Sequence, residues 1–278
     1  NMQEDDFVKR MFIANTHSTL LFFTNQGIVH WLKVYQLPEG SRYARGKALV
    51  NLLNLRENES VTAFVTVKEF KESLHLVMAT KKGTIKKTAL TAYARPRKGG
   101  IIAISLEEGD NLIRVAMTEG TDQIILASKK GLAVRFKETD IRTTGRSAKG
   151  VRGMQLRDGD VVVGMVIADE SKTLLSITEN GFGKRTNIAE YRLTNRGGLG
   201  VINIQTTDRN GDVVSVAAVN EDDGLMFISR AGVMIRVKAK DISLIGRNTQ
   251  GVRIMRLSPN DKVVASAQVE TNGADVDA

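Results

Sequence analysis

Fourteen arginines and lysines of this chain fall into five short stretches: Arg42, Arg45 and Lys47; Arg95, Arg97 and Lys98; Arg142, Arg146, Lys149 and Arg152; Arg192 and Arg196; Arg247 and Arg253. No Asp or Glu lies inside any of them. A single surface Lys or Arg is ordinarily just a solvated charge. Cations gathered without counter-charges, and gathered again at a regular interval, do one kind of chemistry. They neutralise a polyanion of uniform charge spacing, release its counterions and read little base sequence.

Other chemistries find no support. With no cysteine, thiolate zinc sites, disulfides and cysteine nucleophiles are excluded. His17, His30 and His75 stand far apart and show no ligand spacing. Gly197-Gly198-Leu199-Gly200 lacks the Lys-Ser/Thr and the strand–helix context of a phosphate-binding loop, and reads as a turn. No nucleophile–base pair can be nominated. The 14 Phe, Trp and Tyr lie mostly within apolar strands, which argues against a single-strand stacking platform and for a duplex. The 278 residues carry a net charge of +9, and 42% are hydrophobic, enough for a buried core. No apolar run reaches the roughly 20 residues of a membrane span, and the opening residues do not read as a secretory signal. Asn1-Met2 reads as an added start on a piece of something longer. The expectation is a soluble, intracellular, basic module.

Positioning those cations falls to a repeat. A glycine turn after a β-rich run occurs at Gly27, Gly83, Gly131, Gly181 and Gly232, at intervals of 56, 48, 50 and 51. A second glycine series, Gly100, Gly150, Gly200 and Gly251, with Gly46 less cleanly, precedes alternating strands. An acidic turn closes those strands at Glu59, Asp110, Asp160, Asp212 and Asp261, where a carboxylate is better read as a turn former than as an acid–base catalyst. Each unit predicts four short strands. In the third, a is 123–128, b 132–137, c 151–156 and d 161–168. Four strands per fifty residues is propeller arithmetic. Residues 7–14 match a d strand, so a partial repeat at 4–14 precedes five full ones. The domain is expected over 1–269, with an acidic disordered tail at 270–278.

The basic stretches are the b–c loops, and the c–d turns are acidic. Strand b adds Lys86, Lys87, Arg135, Lys137, Lys184, Arg185, Arg236 and Lys238. Four residues after the turn glycine stand Lys87, Arg135, Arg185 and Arg236, with Trp31 the exception. Where such cations alternate with apolar residues they are expected to point away from the core, giving a cationic outer perimeter.

Several strings resemble the C-terminal domain of the bacterial DNA gyrase A subunit. They include Ala14-Asn15-Thr16-His17, Lys33-Val34-Tyr35-Gln36-Leu37-Pro38, Gly181-Phe182-Gly183-Lys184-Arg185-Thr186 and Gly246-Arg247-Asn248-Thr249-Gln250-Gly251-Val252. The resemblance runs from about Asp5 to Val269. It implies an all-β fold, a propeller-like β-pinwheel of five to six four-stranded blades with an unusual strand order. It also implies double-stranded DNA wrapped around the basic perimeter with a positive crossing, so that a holoenzyme introduces negative supercoils. The implied partners are the rest of gyrase A and gyrase B in an A2B2 assembly, in the bacterial cytoplasm at the nucleoid and without a membrane. The implied chemistry lies outside this chain, which needs no cofactor while the holoenzyme uses ATP and Mg2+. The family's basic heptapeptide, Gln-Arg-Arg-Gly-Gly-Lys-Gly, is absent, and Arg97-Lys98-Gly99-Gly100 is a partial echo. Incomplete wrapping is the corresponding expectation. Two alternatives are a topoisomerase IV-like domain that guides DNA without strong wrapping, and a propeller scaffold for protein partners.

Overall fold

Each turn glycine joins two runs of five or six residues that carry β-branched and large apolar residues, and these close into antiparallel hairpins. The computed structural model describes residues 15–38, 40 and 49–269 of the chain. In it β1 (Thr19–Thr24) and β2 (Ile28–Lys33) pair around Gly27, and β3 (Val61–Val67) lies on the other side of β1. The second unit supplies β4 (His75–Thr80), β5 (Thr84–Ala89), β6 (Ile101–Ile102) and β7 (Leu112–Thr118). The third supplies β8 (Gln123–Ser128), β9 (Leu132–Lys137), β10 (Val151–Arg152) and β11 (Val162–Ile167). The fourth gives β12 (Thr173–Thr178), β13 (Phe182–Asn187), β14 (Val201–Ile202) and β15 (Val213–Val219). The fifth gives β16 (Gly224–Ser229), β17 (Met234–Lys238), β18 (Val252–Arg253) and β19 (Val263–Val269).

The a, b and d strands form where the sequence places them, but strand c does not join its own unit. The sheet orders are β3-β1-β2-β6, β10-β5-β4-β7, β11-β8-β9-β14 and β15-β12-β13-β18, so the third unit's c strand completes the second blade, and so on round. The fifth sheet, β17-β16-β19, has three strands among the described residues. Strand c is also shorter than its expected six residues, pairing over two. In the first unit, 49–51 is a 3-10 turn where a c strand was expected. The expected strand at 7–14 and the tail at 270–278 lie outside the described residues.

The d strands pack on one another in the order β3, β7, β11, β15 and β19, and all five line one cavity of about 500 Å³. That fixes d at the axis and the short c strands at the rim. The cores lie between blades. Leu21 and Phe23 of the first meet Leu76 and Met78 of the second, Val77 of the second meets Leu126 and Phe136 of the third, and Leu175 of the fourth meets Phe227 of the fifth. Both faces of an inner blade are therefore buried, and the solvent face that period-2 patterning normally implies is missing. A 3-10 turn that the sequence did not announce follows each b strand: Val34–Gln36, Leu90–Tyr93, Glu138–Asp140, Ile188–Glu190 and Ala239–Asp241.

Candidate nucleic-acid interface

The handover of strand c is what lifts the basic loops onto the rim. After its 3-10 turn the chain reaches back along the preceding blade: Thr144 N–H donates to Lys87 O, Thr194 to Arg135 O and Ile245 to Arg185 O, each at 2.9 Å. It then turns at the second glycine series and pairs as c. Gly200, at φ +81°, shows why glycine marks this spot. A Cβ there would sit 2.1 Å from the carbonyl oxygen of Ala133 in the neighbouring blade.

Every loop so placed exposes its charge. Arg95, Arg97, Lys98, Arg142, Lys149, Arg152, Arg192 and Arg253 are exposed, and Arg146, Arg196 and Arg247 are half-buried. None of these eleven has a carboxylate within 4.0 Å among the described residues. Two of the half-buried arginines double as staples. Arg196 donates to the carbonyls of Asp140 and Arg152, both at 3.0 Å, and Arg247 to that of Ile202 at 2.9 Å. Arg42, Arg45 and Lys47 lie outside the described residues.

The strand-b cations behave differently, and the expectation that they point outward is corrected. Lys137, Arg236 and Lys238 are exposed, but Lys86, Lys87, Arg135, Lys184 and Arg185 are buried. Neighbouring blades cover both faces of strand b, so alternation sends these side chains into the next blade. Lys87 donates to Glu138 O (3.2 Å), Arg135 to Ile188 O (3.1 Å) and Tyr191 O (3.2 Å), and Arg185 to Ile242 O (2.9 Å). Trp31 fits the same rule, its indole N–H donating to Tyr93 O at 2.7 Å. The fourth residue after the turn glycine thus ties each of these blades to the 3-10 turn of the next unit. Carboxylates from the loops between d and a strands, and from the 3-10 turn, sit beside these ties: Glu170 on Arg135 (2.5 Å), Glu221 near Arg185 (3.9 Å) and Glu138 near Lys87 (3.9 Å).

Lys86 and Lys184, one residue earlier, are deeper still. Burial is the main cause that lowers each ammonium to about 8; Arg146 adds to it at Lys86, and at Lys184 Glu190 opposes it while Arg247 adds to it. The acidic turns are structural where the geometry is clearest. Asp110 accepts the N–H of Lys82 (2.9 Å) and Asp160 that of Lys130 (2.9 Å), each tying a c–d turn to an a–b turn of its own blade. In the fourth unit the c–d turn, acidic in sequence, also carries a cation, Arg209. Arg209 and Arg253 lie 5.0 and 5.1 Å from the centre of the Phe182 ring. A turn-borne arginine and a strand-borne one beside the same buried ring could be seen only in three dimensions.

Five stretches, 18–68, 74–119, 122–169, 172–220 and 225–270, match the family described as DNA gyrase C-terminal domain, beta-propeller. The chain belongs to this family. The DNA gyrase A subunit of Halalkalibacterium halodurans is 52% identical over 274 residues, covering 99% of this chain and 33% of that protein. That of Salmonella typhimurium is 47% identical over 268 residues, covering 96% and 30%. The chain therefore spans about a third of the length of these relatives. A solved DNA gyrase A C-terminal domain superposes with a TM-score of 0.78 at 28% identity, covering 92% of this chain and 83% of the other. The C-terminal domain of DNA topoisomerase IV gives 0.85 at 24% identity, covering 92% and 80%, which speaks to the fold alone. The swapped c strand and the basic rim of this gyrase-family domain are thus set in a shared propeller framework.

Proposed function

We propose that this domain binds double-stranded DNA along its rim and bends it around the blades, as the non-catalytic wrapping part of a gyrase-type topoisomerase. In this reading the strand-cleaving and ATP-consuming steps, with their Mg2+, belong to the remainder of a gyrase A protein and to gyrase B. The domain's contribution is to hold the duplex so that strand passage has a preferred sense. One observation carries the reading: among the described residues the rim loops expose cation after cation with no carboxylate within 4.0 Å, whereas the cations inside the blades are spent on carbonyls and acids. A chain of point charges along a curved edge fits a duplex phosphate backbone, and it leaves the bases unread. Membership of the gyrase family supports the same conclusion. A protein scaffold would need no such one-signed rim.

The test is affinity for random-sequence duplex as a function of salt. Steep salt dependence is expected, with log K falling by about 0.9 per phosphate neutralised for each unit of log salt. Charge reversal at Arg95, Lys98, Arg142, Lys149, Arg192 and Arg253 is expected to weaken binding equally on any sequence. Each phosphate left without its cation lowers the slope by about 1. Unchanged affinity in those variants would discard the rim as the binding surface. Salt-insensitive binding would favour the scaffold.

A further inference from the structure

Lys86 in β5 and Lys184 in β13 are 1% and 0% exposed, and neither has a carboxylate within 4.0 Å among the described residues. A buried ammonium without a counter-charge is costly. The fold does not demand one, because Val134 and Ile235 occupy the same place, three residues after the turn glycine, in the third and fifth blades. What distinguishes the two lysines is where their protons go. Lys86 Nζ donates to the carbonyls of Ala103 (2.7 Å) and Arg146. Lys184 Nζ donates to the carbonyls of Gly246 (2.7 Å) and Arg247 (2.6 Å) and to Thr249 Oγ1 (3.1 Å). All of these acceptors but Ala103 lie in the next unit's basic loop, which has no regular structure of its own.

We infer that Lys86 and Lys184 are positioning residues for the rim, each ammonium gripping the next unit's basic loop from within and setting where its exposed cations meet a phosphate backbone. The loop held by Lys86 carries the exposed Arg142 and Lys149; the loop held by Lys184 carries the half-buried Arg247 and leads to the exposed Arg253. An ammonium suits the task because its three donors can gather two or three carbonyls of an irregular backbone at once. Methionine or valine there would fill the space and hold nothing. The third blade, with Val134 at this position, fastens its loop from outside, through the Arg196 staples, while the loop held by Lys184 has the Arg247 staple in addition to the ammonium.

The surroundings give the arrangement a pH signature. Facing Lys86 are Arg146 and the phenol of Tyr93, which donates to the same Ala103 carbonyl; facing Lys184 are Arg247 and Glu190. With both ammonium groups lowered to about 8, the grip is complete at pH 7. It weakens as pH rises through 8, while exposed Lys and Arg stay charged.

This inference rests on the rim being the duplex surface, and the test separates the two. Lys86→Met, Lys184→Met and the double variant of the full 278-residue chain would be compared with the parent by amide hydrogen exchange and by binding to random-sequence duplex. Expected are faster exchange confined to 142–149 in the first variant and to 246–250 in the second, and an affinity loss of about three- to fivefold for each phosphate contact released. The parent's affinity should fall between pH 7 and 9. The double variant should lack that fall. Unaltered exchange in those loops, or exchange that rises alike in every blade, would overturn the inference. So would unaltered affinity in variants of a parent that binds. Should Lys86→Met not fold, the pH profile of the parent decides, and a flat profile would overturn it. If the parent fails to bind duplex at any salt, the rim reading falls, and loop exchange still decides whether the lysines hold the loops.

Discussion

Arg185 and Arg236 stand at the same place in successive units, four residues after the turn glycine, and meet opposite fates. In the fourth blade Arg185 is 4% exposed and donates into the 3-10 turn of the fifth unit. In the fifth blade Arg236 is exposed, and no strand pairs with the outer edge of β17 among the described residues. The two strands differ as widely along their lengths: β13 is buried from Phe182 to Thr186, whereas β17 alternates between exposed and half-buried. The difference lies in what comes next rather than in the strands themselves. A blade's outer half is buried by the unit that follows it, so an arginine of identical local context is a core tie in one blade and a surface charge in the other. The β17 edge, unpaired among the described residues, is guarded, since Arg236 and Lys238 put charge where a stray strand would otherwise add.

The sharpest way to break this contrast is to remove both side chains. Arg185→Ala is expected to cost about 2–4 kcal/mol by urea denaturation, from the cavity and the carbonyl of Ile242 left without its donor. Arg236→Ala should stay within about 0.5 kcal/mol. Equal losses would mean that the next unit does not create the difference. A gentler probe is amide exchange. The Arg185 N–H donates to Ser243 O at 2.9 Å, so it is expected to exchange orders of magnitude more slowly than that of Arg236. The smallest effect is functional: Arg236→Glu should leave stability alone and lower the salt slope of duplex binding by about 1.

Much of this architecture was legible in the sequence. The turn glycines, the acidic turns and the β-rich runs placed strands 123–128 and 132–137 where they are, because local hairpin chemistry decides them. Strand exchange was not legible from spacing, since Val151 pairing with Ile85 depends on contacts far apart in the chain that leave the repeat period unchanged. The same blindness misplaces the strand-b cations. Alternation tells which residues share a face, but not whether that face meets solvent or another blade. Lys86 and Lys87 point to opposite faces, yet both are buried, because each face of that sheet meets another blade. The adjacent pairs Lys86-Lys87 and Lys184-Arg185 hold the clue: two neighbouring cations in one short strand cannot both be outward. The rim loops are legible as basic and exposed because irregular segments without acids have little else to do with their charge.

The borrowing of each fourth strand from the following unit also sets a timetable for synthesis. The third blade's β9 ends at Lys137, but its last strand begins at Val201, so some sixty residues must still emerge before that sheet can be finished. At about 5–20 residues per second, a half-built blade waits several seconds on the ribosome with a bare edge. In such a chain the newest module is always the incomplete one.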